Sequence, residues 1–265
     1  MRVAGLDIGG VTTKAVVLNG DGSVIGKSLM AASDEGEAQA EQALQQALAG
    51  TGLSVKDLDC IVATGAGRKT VSFAHKQKTT QSCLGKGAFS VCPSARLVID
   101  VGAESCIIVK LSDKGTLEDS VSNDHCASGT GIFLETMAKL MRLPLEEFSR
   151  QSLDAKSRAD ISSMCAVFAE QEVISHIHRK PPTPKADVIA GIHASIVSRV
   201  VGFAKRLGIK PDVVLTGGVA RNVGFANILG EMIGMEVRIP AEPEFVGALG
   251  AALFAREGKA AAPKA

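Results

Sequence analysis

The chain of 265 residues contains neither tryptophan nor tyrosine, and aromatic side chains make up only 3% of it. Stacking platforms for bases or sugars are therefore scarce. A formal net charge of +1 leaves no basic surplus for a polyphosphate backbone, so we expect no nucleic-acid partner. The sequence also has no charged leader and no apolar run of transmembrane length, so we expect neither a targeting segment nor a membrane span. Together these absences predict a soluble, cytoplasmic protein.

The six cysteines lack the even spacing of a secreted disulfide framework. Because an intracellular compartment would keep them reduced, a cysteine with a special role should be catalytic or a metal ligand. Four of them lie in apolar or loop settings without partner spacing, and we expect these to be structural: Cys60, Cys83, Cys92 and Cys106.

What the sequence does contain is a repeated design. Asp7 and Asp100 each end an apolar strand that runs into glycine, and Gly22 and Gly115 each mark the turn of the hairpin that follows. Both pairs are separated by the same 93 residues. The pattern predicts an α/β protein with a duplicated domain and a cleft between the copies. The alternative is that the two similar strand patterns arose by chance. Apolar periodicity predicts helices over about 33–48, 131–142, 165–179, 187–207 and 245–256, and a further helix after Gly217-Gly218.

The first glycine turn carries the chemistry of a phosphate site. Its glycines allow backbone N–H groups to approach phosphate, its hydroxyls and a lysine add donors, and its aspartate can hold hydrated magnesium. The candidate residues of this turn are Asp7, Gly9, Gly10, Thr12, Thr13 and Lys14.

Three further turns repeat this signal. Asp100 and Gly102 form the matching turn in the second copy, a helix opens at Gly129-Thr130-Gly131, and a buried strand leads into a turn suited to adenosine. The residues of that last turn are Gly217, Gly218, Val219 and Asn222. Each turn alone is weak evidence, but their order predicts an ATP site with magnesium. The spacings typical of P-loop and dinucleotide-binding proteins are missing.

The order of these turns is similar to that of the actin, hexokinase and heat-shock chaperone ATPase superfamily. That resemblance implies two ribonuclease-H-like lobes with a nucleotide cleft between them. The first lobe would comprise residues 1–95, completed by a C-terminal helix at about 245–257. The second would comprise residues 96–244, and residues 258–265 would form a frayed tail.

Two cysteines, Cys126 and Cys165, each lie at the predicted start of a helix. The N-terminus of a helix favours a thiolate and an anionic cluster, and either Ser162 or Ser163 could be the N-cap of the second helix. Two ligands are too few for a four-cysteine cluster, whereas a two-fold dimer would supply four. The alternative is that both cysteines are small buried apolar residues.

The sequences around these cysteines, NDHCASGTGIFL and SSMCAVFAEQEVIS, resemble the cluster motifs of the 2-hydroxyacyl-CoA dehydratase activators. The resemblance spans residues 7 to about 255 and extends to the ATP-binding subunits of benzoyl-CoA reductase. It implies a homodimeric ATPase with one 4Fe-4S cluster shared by two subunits through Cys126 and Cys165. Such a protein takes an electron from ferredoxin or flavodoxin and passes it to an iron-sulfur dehydratase or reductase.

The sequence departs from these activators in the second turn, where Glu104-Ser105 replaces the usual Gln-Asp pair. We therefore take Asp7, Asp100 and Glu104 as the candidate catalytic residues, with Glu104 holding the attacking water. Two alternatives stay open: a small-molecule kinase of the sugar-kinase type without a cluster, and a nucleotide-binding regulatory subunit that does not hydrolyse ATP.

Overall fold

The computed structural model describes residues 1–33, 36–123 and 130–260 of the chain. It divides into two compact units. Unit 1 contains Met1–Ser94, Leu111–Glu118 and Glu244–Ala265, and unit 2 contains Ala95–Lys110 and Asp119–Pro243.

The first sheet has five strands in the order β3-β2-β1-β4-β5. Strands β1 to β3 form an antiparallel meander, while β4 pairs parallel with β1 and β5 pairs parallel with β4. The strands are β1 (Val3–Ile8), β2 (Thr12–Leu18), β3 (Val24–Ala31), β4 (Cys60–Thr64) and β5 (Lys76–Gln77).

Helices cover both faces of this sheet: α1 (Gly36–Leu48), α2 (Thr80–Val91) and α8 (Val246–Ala260). One face packs against the alanines and leucines of α1 and the other against the alanines of α8. Glycine permits the close approach of α8 to β1, because a Cβ at Gly5 would lie 2.1 Å from the carbonyl oxygen of Ala248. The side chains of successive β1 residues therefore alternate between an α1 face and an α8 face.

The second sheet repeats the first, with the order β10-β9-β6-β7-β8. Strands β6 and β7 are antiparallel, and β6, β9 and β10 run parallel. The strands are β6 (Leu97–Val101), β7 (Cys106–Leu111), β8 (Leu117–Asn123), β9 (Val213–Thr216) and β10 (Val237–Arg238). In both sheets the fourth and fifth strands follow the first strand on one side and the meander lies on the other, as the duplicated α/β design predicts.

The helices of unit 2 are α3 (Gly131–Leu140), α4 (Leu145–Gln151), α5 (Ala166–His178), α6 (Lys185–Leu207) and α7 (Val223–Ile233). Of the described helices, α6 is long and apolar enough to cross a membrane by length and composition. However, 67% of its most apolar window is buried in the protein. It therefore packs as the core helix of unit 2.

The periodicity missed two helices, α2 and α4. In α2, the sequence TQSCLGKGAFSV contains two glycines, which are unfavourable in helices. Both glycines are buried, and a Cβ at Gly87 would lie 2.0 Å from the carbonyl oxygen of Val246 in α8. Tertiary packing thus overrides helix propensity in α2.

Candidate functional site

In unit 1, Asp7 and Lys14 lie side by side at the carboxyl end of β1. They are direct cross-strand partners, so their side chains share one face of the sheet, the face covered by α8. Two glycines keep space for the carboxylate, since an added Cβ would lie 2.6 Å from Asp7 Oδ1 at Gly65 and 2.9 Å from Asp7 Oδ2 at Gly247. Gly65 also has a φ of +90°, which side-chain-bearing residues rarely adopt. The fold therefore holds a carboxylate and an ammonium group together next to the first turn of α8.

The turn after Asp7 closes tightly around Gly9. Its N–H donates to the carbonyl of Thr12 over 3.0 Å, and a Cβ at Gly9 would lie 3.7 Å from Lys14 Nζ. The lysine thus reaches over the turn, while Gly10 and Val11 are exposed at its tip. This arrangement offers donors and an open backbone to an anion.

Thr13 is placed differently from its neighbours. Its side chain is fully buried on the α1 face, where its hydroxyl donates to Gln39 Oε1 over 3.4 Å. Thr12 and Lys14 are only half-buried and alternate with it along β2. The structure therefore brings Asp7, Gly9, Thr12 and Lys14 together and directs the hydroxyl of Thr13 into the core.

Asp100 in unit 2 occupies the position of Asp7 at the end of the first strand. Its Oδ2 accepts a hydrogen bond of 2.8 Å from the hydroxyl of Thr216 on the parallel neighbour β9. Gly217 follows with a φ of +83°, and a Cβ there would lie 2.4 Å from the carbonyl oxygen of Val101. Glycine is required at this crossing, so the adenosine-type turn and the Asp100 turn lie against each other.

The N-terminus of α3 packs onto the Asp100 turn. The N–H groups of Gly131 and Ile132 donate to the carbonyls of Gly102 and Ala103 over 2.9 and 3.0 Å. We expected free N–H groups here to attract phosphate, but these two are already paired within unit 2. Thr130 is fully buried, and Gly129 lies outside the described residues.

Part of the turn expected to approach adenosine is used to stabilise the fold. Asn222 is only 7% exposed and is the N-cap of α7, accepting from the N–H of Phe225 over 2.9 Å and from the hydroxyl of Ser149 over 2.8 Å. Val219 is buried against Gly131, whereas Gly218 is exposed. Exposed backbone at Gly218, rather than the Asn222 amide, is therefore what this turn offers a ligand.

Glu104 is exposed in the turn between β6 and β7. The N–H of Gly102 donates to the carbonyl of Ser105 over 2.8 Å, which closes this turn as the Thr12 carbonyl closes the first. The Glu104 carboxylate can therefore meet solvent directly.

Cys165 is itself the N-cap of α5, with φ −146° and ψ 135°, and its carbonyl accepts from Ala169 in the first helical turn. The expected N-cap at Ser162 or Ser163 is wrong. The carboxylate of Glu172 instead accepts the N–H of Ser162 over 2.5 Å. Cys126 lies outside the described residues.

The surroundings of Cys165 are apolar and open. The thiol is half-buried, while its neighbours Met164, Val167 and Phe168 are 83%, 60% and 60% exposed. Exposed apolar side chains that follow one another on a surface are typical of interaction surfaces. Among the described residues no three His, Cys, Asp or Glu side chains are grouped to hold a metal ion.

Residues 155–165, which we term the strap, run along one side of α6 and end at Cys165, where α5 begins. At its start, the carboxylate of Asp187 accepts the N–H groups of Lys156 and Ser157 and the Ser157 hydroxyl. These bonds, the hydroxyl bond above all, hold the pKa of Asp187 below its ordinary value. At its end, Arg199 donates to the last two carbonyls before Cys165. Sequence reasoning missed these contacts, although the spacing of Asp187, Gly191, Ser195 and Arg199 by four places them on one helix side.

Gly191 sets how closely the strap approaches α6. An added Cβ would lie 2.3 Å from the carbonyl oxygen of Ala159, so Gly191→Ala should displace the strap and lower the free energy of unfolding of unit 2 by about 1–3 kcal/mol. Protection of Cys106, which is 2% exposed, against thiol labelling across a urea series measures this change. The matched control is Gly202→Ala on the same helix, where a Cβ meets nothing within 4 Å. Equal stability of the two variants would contradict the prediction.

Two solved structures match almost the whole chain. The activator of the 2-hydroxyisocaproyl-CoA dehydratase from Clostridium difficile, solved with bound ADPNP, has 35% identity and a TM-score of 0.90, covering 100% of this chain and 99% of that one. Component A of the (R)-2-hydroxyglutaryl-CoA dehydratase from Acidaminococcus fermentans has 36% identity and a TM-score of 0.92, covering 98% and 99%. Together with the repeated sheet order, these matches define the class: the fold is that of the actin-like ATPases.

The family follows from the sequence. The model of the BadF/BadG/BcrA/BcrD ATPase family matches residues 4–255. The activator of lactoyl-CoA dehydratase from Anaerotignum propionicum is 39% identical over 257 residues, covering 97% of this chain and 98% of that protein. The chain belongs to the BadF/BadG/BcrA/BcrD ATPase family, which confirms the resemblance drawn from its motifs.

Proposed function

We propose that this protein is an ATPase that transfers low-potential electrons to a partner acyl-CoA dehydratase or reductase and thereby activates it. The family assignment supports ATP hydrolysis, and the relatives' names supply the class of partner. The observation that carries the electron-transfer part is the half-buried Cys165 thiol at the N-cap of α5, surrounded by exposed apolar side chains.

In unit 1, the geometry favours one residue for magnesium and other groups for the phosphates of the nucleotide. Asp7 would hold Mg²⁺ through water, because its carboxylate has a protected place beside Gly65 and Gly247. Lys14 and the backbone of the Gly9 turn would contact phosphate oxygens. In unit 2, Asp100 offers a second carboxylate for hydrated magnesium. When bound, Mg²⁺ neutralises phosphate charge.

Glu104 is our candidate for holding the attacking water, since its carboxylate is exposed beside the Asp100 turn. The backbone at Gly217, Gly218 and Val219 would approach the adenosine, with Gly218 supplying the exposed part. Because Asn222 is committed to the N-cap of α7, we assign it to support of this turn.

The donor set at Cys165 fits a cluster shared between two copies of the chain. One chain contributes two cysteines, Cys126 and Cys165, whereas a 4Fe-4S cluster takes four thiolates, so a two-fold pair completes the set. Such a cluster supplies one-electron redox chemistry. The N-terminus of α5 lies at Cys165 and would favour the negative charge of a bound cluster, and Met164, Val167 and Phe168 provide apolar surface for a second subunit.

The proposal includes a ferredoxin or flavodoxin as electron donor, an iron-sulfur dehydratase or reductase as acceptor, and a cytoplasmic location. Low-potential iron-sulfur chemistry requires a reducing compartment, in which the described cysteines stay free thiols. Neither nucleic acid nor a membrane has a part in this function.

The test is iron and acid-labile sulfide per chain in anaerobically purified protein. A shared four-iron cluster predicts about two irons per chain, lost in both Cys126→Ala and Cys165→Ala. Cys92→Ala is the matched control, because Cys92 is also half-buried but lies at the end of α2, and it should keep the iron. Absence of iron after anaerobic reconstitution, or full iron in Cys165→Ala, would contradict the proposal.

A further inference from the structure

The strap runs beside α6 with contacts at regular intervals. Asp187 holds its start, Gly191 admits the Ala159 carbonyl in its middle, and Arg199 binds its end. Since these α6 residues span twelve positions, the contacts extend over about 18 Å of helix. The position of Cys165 is therefore determined by a helix to which Cys165 does not belong.

Arg199 makes the contact nearest the thiol. Its Nη1 donates to the carbonyl of Ser163 over 3.1 Å and to that of Met164 over 3.4 Å, the two residues directly before Cys165. We propose that Arg199 is the positioning residue for Cys165, fixing the backbone that aims the thiol at the metal group; this inference rests on the proposed function.

The local geometry explains why this contact matters. Cys165 has extended backbone angles as an N-cap, and Met164 is 83% exposed, so little packing holds the strap from the solvent side. Glu172 of α5 fixes Ser162 further back. Charge-assisted hydrogen bonds from an arginine are strong and directional, so loss of the guanidinium releases the peptide units next to the thiol.

The experiment measures alkylation of Cys165 in the iron-free full-length chain, resolved by peptide mass. Arg199→Gln should raise the alkylation rate of Cys165 about tenfold, since the two lost bonds to a charged donor shift the local opening equilibrium by that order. Cys106 is the internal control for folding of unit 2 and should stay protected. The matched variant Arg206→Gln, near the end of the same helix with its guanidinium over Phe203, should leave the Cys165 rate unchanged.

Arg199→Lys keeps the charge but shortens the reach, so we expect an intermediate rate. A Cys165 rate equal to wild type in Arg199→Gln, with Cys106 protected, overturns the proposal. If Arg199→Gln also exposes Cys106, the test rests on Arg199→Lys. A Cys165 alkylation rate in Arg199→Lys equal to that of wild type would then overturn the proposal as well. The alkylation experiment uses iron-free protein, so its result is independent of the iron analysis. A wild type that binds no iron would contradict the proposed function, whereas the role of Arg199 would still be decided by the alkylation rate of Cys165. In protein that binds iron, Arg199→Gln should also lower iron per chain.

Discussion

Replacing Asp7 by asparagine should lower the rate of ATP hydrolysis at least about 100-fold while leaving the fold intact. The asparagine side chain has the same shape and fits the space left by Gly65 and Gly247, so unit 1 keeps its packing. It carries no negative charge, however, so the cross-strand neighbour of Lys14 becomes neutral. We expect the magnesium dependence of hydrolysis to weaken together with the rate. Phosphate release at saturating ATP and varied Mg²⁺ measures both effects.

The matched control for Asp7→Asn is Asp21→Asn in the same unit. Asp21 lies in the exposed hairpin turn after β2, where its carboxylate accepts from the N–H and hydroxyl of Ser23. An asparagine oxygen can accept the same bonds, so this variant should hydrolyse ATP like wild type. An Asp7→Asn rate within about threefold of wild type would contradict the role of Asp7 as the magnesium carboxylate.

Sequence reasoning located the Asp7 turn but not the faces of its residues. The sequence analysis groups Thr12, Thr13 and Lys14 in one turn, whereas all three belong to β2. Successive side chains of a strand point to opposite faces of the sheet, so Thr13 enters the α1 face while Thr12 and Lys14 lie on the other. The position at which a turn becomes a strand is a boundary that composition fixes only weakly.

In unit 2, the sequence analysis could not predict the hydrogen bonds between segments that are distant in sequence. The glycine pattern correctly marked the turns at Gly102, Gly131 and Gly217. It could not reveal that the Gly131 N–H is satisfied by the Gly102 carbonyl, or that the Asn222 amide caps α7. Such pairings depend on the tertiary arrangement of segments that are distant in sequence. A helix start with a glycine signal therefore predicts an anion site only where its N–H groups remain free.

The position of the strap also depends on contacts that the sequence analysis could not predict. Residues 155–165 have neither helical nor strand periodicity, and their position depends on Asp187, Gly191 and Arg199 from a later helix. The sequence motif around Cys165 makes this thiol a candidate cluster ligand. The contacts that hold it became visible only when α6 was placed beside the strap.

Acidification should destabilise unit 2 through His193. This residue of α6 is fully buried next to Phe148, with a ring centroid separation of 5.2 Å, and its Nδ1 lies 3.0 Å from the Ile189 carbonyl. Burial lowers the pKa of His193 to about 4 from an ordinary 6.5, against the opposing effect of that carbonyl. The folded state therefore keeps the imidazole neutral at pH values where the unfolded chain binds a proton. Stability is fully present above about pH 6.5 and falls as the pH drops towards 4, by about 2 kcal/mol at pH 5.

The absence of tryptophan and tyrosine rules out the usual fluorescence readout, but two buried thiols report each unit separately. Cys106 in β7 and Cys60 in β4 are 2% and 4% exposed, so pulsed thiol labelling across urea series at pH 7 and pH 5 gives the unfolding free energy of each unit. His193→Gln cannot titrate and should remove most of the pH dependence seen at Cys106, while lowering stability at pH 7 because the buried site loses its ring packing. His178→Gln, exposed at the end of α5, is the matched control and should keep it. A pH dependence at Cys106 that survives in His193→Gln would show that other groups in unit 2 control its acid stability.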